Sequence, residues 1–250
     1  MKNDSGRGEI VRGFHSRLML LVGISILLGG CQTIKQLIYT HDPLNFHAVE
    51  KGALYRSAQP TGGDLEMIVN KYGIKSVINL RGANPGQNWY DNELIVSEQY
   101  GLKRVDISMS AERLPHKQDL VKLLDAFRDL PRPILVHCMA GADRTGEAAA
   151  IFAFDHMQMS RSEASGQLHP YYGHIPDLYP AKTYFFNKVY ESEKWARESY
   201  DPCKADYPYY DKVDYCGASP PSDISGEARP SPPPAMTPPP TVKRRINDER

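Results

Sequence analysis

The chain has 250 residues, enough for one domain with extensions, and carries 30 basic and 30 acidic side chains. Balanced charge leaves no basic footprint for a nucleic-acid partner. Residues 1–30 stand outside any fold: Lys2, Arg7, Arg12 and Arg17 make a basic leader, followed by an apolar run from Leu18 to Leu28. The run falls short of the roughly 20 residues a membrane span needs. It ends in Leu28-Gly29-Gly30-Cys31, and small residues before a cleavage point mark a signal peptide. Residues 31–45 read as a tether.

Residues 48–56 read as an extended entry or strand pair. The spacing of Leu65, Ile68 and Val69 predicts a helix over 64–72, stopped by Gly73. A buried strand follows over 75–80. Residues 89–100 read as a helix with Leu94, Ile95 and Tyr100 inward. Val105, Ile107 and Met109 alternate with Asp106 and Ser108, predicting a strand over 102–109. A helix over 118–130 turns Leu120, Val121, Leu123, Leu124 and Phe127 to the core. Pro133-Ile134-Leu135-Val136 reads as a strand. The helix after it opens near Thr145 and runs through three alanines to Phe154, without an internal proline. Further helices are predicted over 161–172 and 181–199. Strands alternating with helices argue for one α/β domain over 46–198, a mostly parallel central sheet flanked by helices. Residues 199–218 form a Cys- and Tyr-rich extension. Residues 219–250 are rich in proline and poor in apolar side chains, which predicts a disordered tail with polyproline II character.

Between the last predicted strand and its helix lies His137-Cys138-Met139-Ala140-Gly141-Ala142-Asp143-Arg144-Thr145-Gly146. A loop at a strand's C-terminal end that opens a helix presents unpaired N–H groups and partial positive charge. That environment and a nearby arginine lower a thiol's pKa, so Cys138 is a candidate nucleophile. The same N–H groups can ring a phosphoryl group as a nest, and the planar Arg144 fork can grip two of its oxygens.

Cysteine, five residues, arginine and threonine resemble the signature of the cysteine-dependent protein tyrosine and dual-specificity phosphatases. The form Cys138-Met139-Ala140-Gly141-Ala142-Asp143-Arg144-Thr145-Gly146 is similar to the compact bacterial dual-specificity-like branch. So are Leu54-Tyr55-Arg56-Ser57-Ala58-Gln59-Pro60 and Val77-Ile78-Asn79-Leu80-Arg81. The resemblance spans roughly 150 residues, a normal domain size. It implies the sandwich fold of that family and two-step phosphate-ester hydrolysis through a phosphocysteine on Cys138. It also implies phosphate binding by Met139, Ala140, Gly141, Ala142, Asp143, Arg144 and Thr145, with the Thr145 hydroxyl easing the departing thiolate. His137 would order the loop. No metal or cofactor is implied.

The general acid is open among three carboxyls. Asp106 precedes Cys138 by about the family's spacing but sits in a strand pattern; Glu112 occupies the following loop; Asp143 lies within the phosphate loop. The loop carries no lysine, which gives a polyanion little extra attraction and favours phosphotyrosine or phosphoserine/threonine in proteins. Phosphoinositides and small phosphomonoesters are the alternative substrates. A catalytically silent phosphate-binding lipoprotein is the alternative function, and a rhodanese-like sulfur carrier a weaker one. Small residues directly before Cys31 resemble the bacterial lipoprotein box, implying a lipid on Cys31 that anchors the protein to a membrane of the cell envelope; the alternative is an uncut signal anchor. Cys203 and Cys216 then remain, thirteen apart, as a candidate disulfide in an exported chain, with two free thiols as the alternative.

Overall fold

Short apolar segments that cannot stand alone in water gather here into one five-stranded sheet. A computed structural model describes residues 43–212 and Cys216. The expected leader, the expected lipid site at Cys31 and the expected disordered tail 219–250 lie outside the described residues. The strands are β1 (His47–Glu50), β2 (Leu54–Ser57), β3 (Ser76–Asn79), β4 (Lys103–Asp106) and β5 (Ile134–His137), in the order β1-β2-β5-β3-β4. β1 pairs antiparallel with β2, and every other pairing is parallel. Strands β2, β3 and β5 are buried along their whole length, as a parallel sheet covered on both faces requires.

Alternation along the strands assigns the two faces. Tyr55, Val77 and Leu135 meet Leu65, Ile68 and Val69 of α1 (Gly62–Tyr72) in one cluster. Leu54, Ile78, Ile134 and Val136 meet the larger core on the other face. There α3 (Lys117–Asp129) contributes Leu120, Leu123, Leu124 and Phe127. Helix α4 (Asp143–Asp155) lies at the centre, buried from Thr145 to Ala153, and its alanines let neighbours approach closely. Helix α1 is set by its ends: Thr61 and Asp64 form a capping box, and Gly73 at φ 66° terminates it.

Several elements depart from the sequence expectation. Helix α2 (Asn88–Gln99) buries Tyr90, Glu93 and Ser97, while Ile95 is exposed. The helix is rotated because Glu93 turns inward to meet Arg104 and His137, which outweighs covering Leu94 and Ile95. The strand expected over 102–109 ends at Asp106; Ile107 still donates to the Asn79 carbonyl, and beyond it the chain leaves the ladder with Ile107 and Met109 buried. The helix expected over 161–172 is two pieces, α5 (Arg161–Ser165) and a 3-10 turn at Pro170–Tyr172, because Gly166 closes the first and Pro170 starts the second. The helix expected over 181–199 breaks into α6 (Pro180–Tyr184), a wide π turn at Phe185–Val189 and α7 (Glu193–Glu198), restarted by the Ser192 cap.

The extension folds back onto the loop before α3. Leu114 donates its amide to the Tyr209 carbonyl at 2.9 Å, the Tyr200 hydroxyl donates to the Pro115 carbonyl at 2.7 Å, and Arg113 pairs with Asp211 at 3.1 Å. Cys203 and Cys216 are joined as a disulfide with their Cα atoms 5.6 Å apart. No helix among the described residues is long and apolar enough to cross a membrane.

Candidate active site

The parallel register lines up Ser57, His137 and Asn79 at one edge of the sheet, with Asp106 beside Asn79. Ligands of open α/β sheets bind outside the carboxyl ends of the strands, and the chain after β5 turns there into α4 through residues 138–142.

The loop's conformation is imposed from outside. Gly141 takes φ 68°, and a Cβ there would lie 2.6 Å from the Ala58 nitrogen, so only glycine fits. Four successive carbonyls are held by donors behind the loop. Met139 accepts from the Gln59 amide at 3.2 Å, Ala140 from Asn45 Nδ2 at 3.1 Å, and Gly141 and Ala142 from Arg56 Nη2 at 2.8 and 3.5 Å. In a planar peptide the N–H opposes the C=O. The amides of residues 140–143 are thereby turned to the inner side, as an anion nest requires. Arg56 is fully buried, also donates to Gln167, and lies 4.0 Å from the centre of the Tyr172 ring. Burial pulls its pKa down to about 10, with Tyr172 and Cys138 opposing that shift. The same Asn45 amide nitrogen also bonds the Tyr172 carbonyl at 2.9 Å.

Inside the loop a cavity of about 210 Å³ is lined by Cys138, Met139, Ala140, Ala142, Asp143 and Arg144. Ala111, Gly173, Ile175, Leu178 and Tyr179 form the facing wall. Cys138 lies at the bottom, 2% exposed. Burial alone pushes its thiol up. The Arg144 charge, the Thr145 hydroxyl and the amides of Thr145 and Ala140 outweigh burial, and the net shift is downward. Thr145 Oγ1 is buried and has no nitrogen or oxygen partner, which leaves its proton for the sulfur. Arg144 rests one Nη on the Leu80 and Met109 carbonyls at 3.4 and 3.3 Å, and its Nε is buried without a partner. A bound oxyanion would satisfy that donor.

The three carboxyls proposed for proton donation are placed differently. Asp143 lines the cavity. Its Oδ1 lies 2.7 Å from Nδ1 of the buried His174, whose Nε2 lies 2.8 Å from Thr183 Oγ1. Asp106 is not brought to the cavity: one oxygen accepts from Asn79 and Arg104 at 2.9 and 3.0 Å and the other from the Tyr90 hydroxyl at 2.7 Å. A strand-end carboxylate saturated this way is a structural acceptor. Glu112 is exposed, next to the lining residue Ala111.

Beneath the nucleophile His137 is fully buried, with Nε2 3.1 Å from Glu93 Oε2, while Arg104 donates to Glu93 Oε1 at 2.8 Å. Burial pushes the Glu93 carboxyl up, and His137, Arg104 and Gln59 together overcome it and hold the pKa at about 2. A second buried pair joins Glu147 of α4 to Lys182 of α6 at 3.2 Å, and Lys182 also donates to the Arg113 carbonyl. Burial raises Glu147 to about 7 against the pull of Lys182. Among the described residues no cluster of His, Cys, Asp and Glu could hold a metal ion.

Asn45, Arg56, Glu93, His174 and Thr183 were not singled out from the sequence as members of the site. The one local signal was Arg56, a charged residue inside an otherwise apolar strand pattern.

The family model for a DSP-PTPase phosphatase fused to NAD+ kinase matches residues 36–174. Among solved structures, the catalytic core of Siw14 is 21% identical with a TM-score of 0.50, covering 62% of this chain and 89% of that one. The PP-IP phosphatase Siw14 from S. cerevisiae, in complex with citrate, is 23% identical with a TM-score of 0.49, covering 59% and 85%. P. aeruginosa TpbA is 20% identical with a TM-score of 0.48, covering 62% and 91%. At these identities the likeness is one of fold. No curated protein matches the chain.

Proposed function

The chain belongs to the DSP-PTPase phosphatase family, and from that premise we propose that it hydrolyses phosphotyrosine in proteins through a phosphocysteine on Cys138. The carrying observation is a buried thiol whose pKa is lowered at the bottom of a nest that also holds the Arg144 fork with an unpartnered Nε. Arg144 and the loop amides grip the phosphoryl oxygens as charge builds on them. Cys138 Sγ attacks phosphorus, the P–O bond to the leaving group breaks, and that oxygen takes a proton from Asp143. Water then attacks the phosphocysteine and gives its proton back to Asp143, the S–P bond breaks, and Thr145 supports the returning thiolate. Asp143 is the acid in this reading because it alone of the three carboxyls lines the cavity.

The cavity walls favour an aryl ester. Apart from Asp143 and Arg144 they are uncharged, and Met139, Ile175, Leu178 and Tyr179 offer an apolar sleeve above the nucleophile. Purified protein, assayed in chelator, should hydrolyse para-nitrophenyl phosphate and tyrosine-phosphorylated peptides, and Cys138→Ser should abolish turnover while retaining phosphopeptide binding. Full turnover in Cys138→Ser, or complete loss to chelator alone, rejects the mechanism.

The protein in this reading is a lipoprotein of the bacterial cell envelope, anchored through Cys31. Labelled fatty acid should enter the wild type and not Cys31→Ala; equal labelling of both would remove the anchor.

A further inference from the structure

Asp143 stands first in α4, and a carboxylate at a helix start is ordinarily free to swing between solvent and the helix's own amides. Here it is not free. His174 follows Gly173 on the segment that walls the cavity, but its ring turns inward and is fully buried between two short hydrogen bonds. One reaches Asp143 Oδ1 at 2.7 Å and the other Thr183 Oγ1 at 2.8 Å. The chain Thr183–His174–Asp143 thus runs from α6 through a buried imidazole to the cavity.

Two tautomers satisfy these distances, and they have opposite chemical outcomes. With hydrogen on Nδ1, His174 donates to Asp143 Oδ1 and accepts the Thr183 hydroxyl proton. Oδ2 is then the oxygen that carries the acidic proton toward the leaving group. With hydrogen on Nε2, Asp143 would have to donate its own proton into the imidazole and would hold none for the substrate. Resting on the reading of Asp143 as the acid, we infer that His174 is the positioning residue of that acid. It donates from Nδ1 to Oδ1 and leaves Oδ2 to the substrate, with the Thr183 hydroxyl donating to its Nε2. No proton leaves the imidazole in this scheme. It presents one lone pair and one N–H in both half-reactions, while Oδ2 alone loses and regains a proton. The wall that accepts the substrate's body and the device that aims the acid are one segment, residues 173–179.

A residue that acts only through the acid is felt only where an acid is needed. The test compares turnover of phenyl phosphate, whose leaving group requires a proton, with dinitrophenyl phosphate, whose leaving group departs as the anion. Asp143→Asn should lose about 100-fold on phenyl phosphate and little on the dinitrophenyl ester. His174→Ala should show the same selectivity at about tenfold, and His174→Asn, which restores a donor near the Nδ1 position, should recover most of it. Thr183→Val, which keeps the imidazole in place, should shift in the same direction by less and supplies the comparison if His174→Ala does not fold. Equal losses on both esters in the His174 and Thr183 variants, with Asp143→Asn selective, would overturn the positioning role and leave Asp143 as the acid. If Asp143→Asn is itself unselective, the acid is elsewhere and the inference falls with it.

Discussion

Arg144 and Gly141 place the strictest demands on single side chains. A lysine in place of Arg144 supplies a point charge but no planar fork. Arg144→Lys should raise the barrier by about 2–4 kcal/mol, the cost of one lost oxyanion donor, read as kcat/KM on an aryl phosphate. Gly141→Ala is a test of the backbone: its Cβ would meet the Ser57 carbonyl carbon at 2.7 Å and the Ala58 nitrogen at 2.6 Å while the residue holds φ 68°. Thermal or denaturant unfolding should show a loss of about 1–3 kcal/mol, as for overpacking at a close approach, with activity falling alongside. Both residues were legible in the sequence because strand, loop and helix are contiguous and the spacing of Cys138 and Arg144 carries the chemistry. The residues that aim the loop were not. Asn45, Arg56 and His174 act at separations of 95, 85 and 31 residues, and no local periodicity encodes such contacts.

Helix α2 shows the same limit one level up. Its apolar pair Leu94-Ile95 suggested an inward face, yet the buried stripe is Tyr90, Glu93 and Ser97. Glu93 is turned in because Arg104 of β4 and His137 of β5 converge on it, and a helix stripe cannot announce a cation on another strand. Strands β3 and β5 were readable for the opposite reason: buried on both faces, they centre on the apolar runs Val77-Ile78 and Ile134-Leu135-Val136. The Glu93 carboxyl titrates near 2 in the folded protein, below the ordinary value of 4.5. Its contribution to stability is therefore complete above about pH 4.5 and is lost as the pH falls toward 2. Glu93→Gln should cost about 3–5 kcal/mol at neutral pH, the range for removing one partner of a buried ion pair. The wild type's extra stability over the variant should shrink as urea midpoints are taken from pH 5 down to pH 2; an unchanged gap would deny Glu93 this role.

Across the whole molecule, the loop 108–116 is gripped from two sides. Lys182 holds the Arg113 carbonyl at 2.7 Å from the core, and Tyr209 holds Leu114 from the extension. Since Ala111 of this loop lines the cavity, the extension braces the active-site wall from behind, a role its Cys- and Tyr-rich composition did not reveal. Opening the Cys203–Cys216 link with Cys203→Ser and Cys216→Ser together should cost about 3 kcal/mol of stability on the chain-entropy account. It should raise KM more than it lowers kcat, since the wall loosens while the nest keeps its supports. A fall in kcat with KM unchanged would place the extension's influence elsewhere. The other end of the described chain is tied in more directly still. Asn45 bonds the Ala140 carbonyl of the nest and the Tyr172 carbonyl through one amide nitrogen, two residues ahead of β1. A mechanical load applied along the N-terminal segment would meet the Leu44 carbonyl, which accepts from the Ala58 amide at 2.7 Å just past β2, and one residue later the phosphate loop at Asn45. Tension of that kind would reach Ala140 through Asn45, so the catalytic loop would share the force with the end of β2.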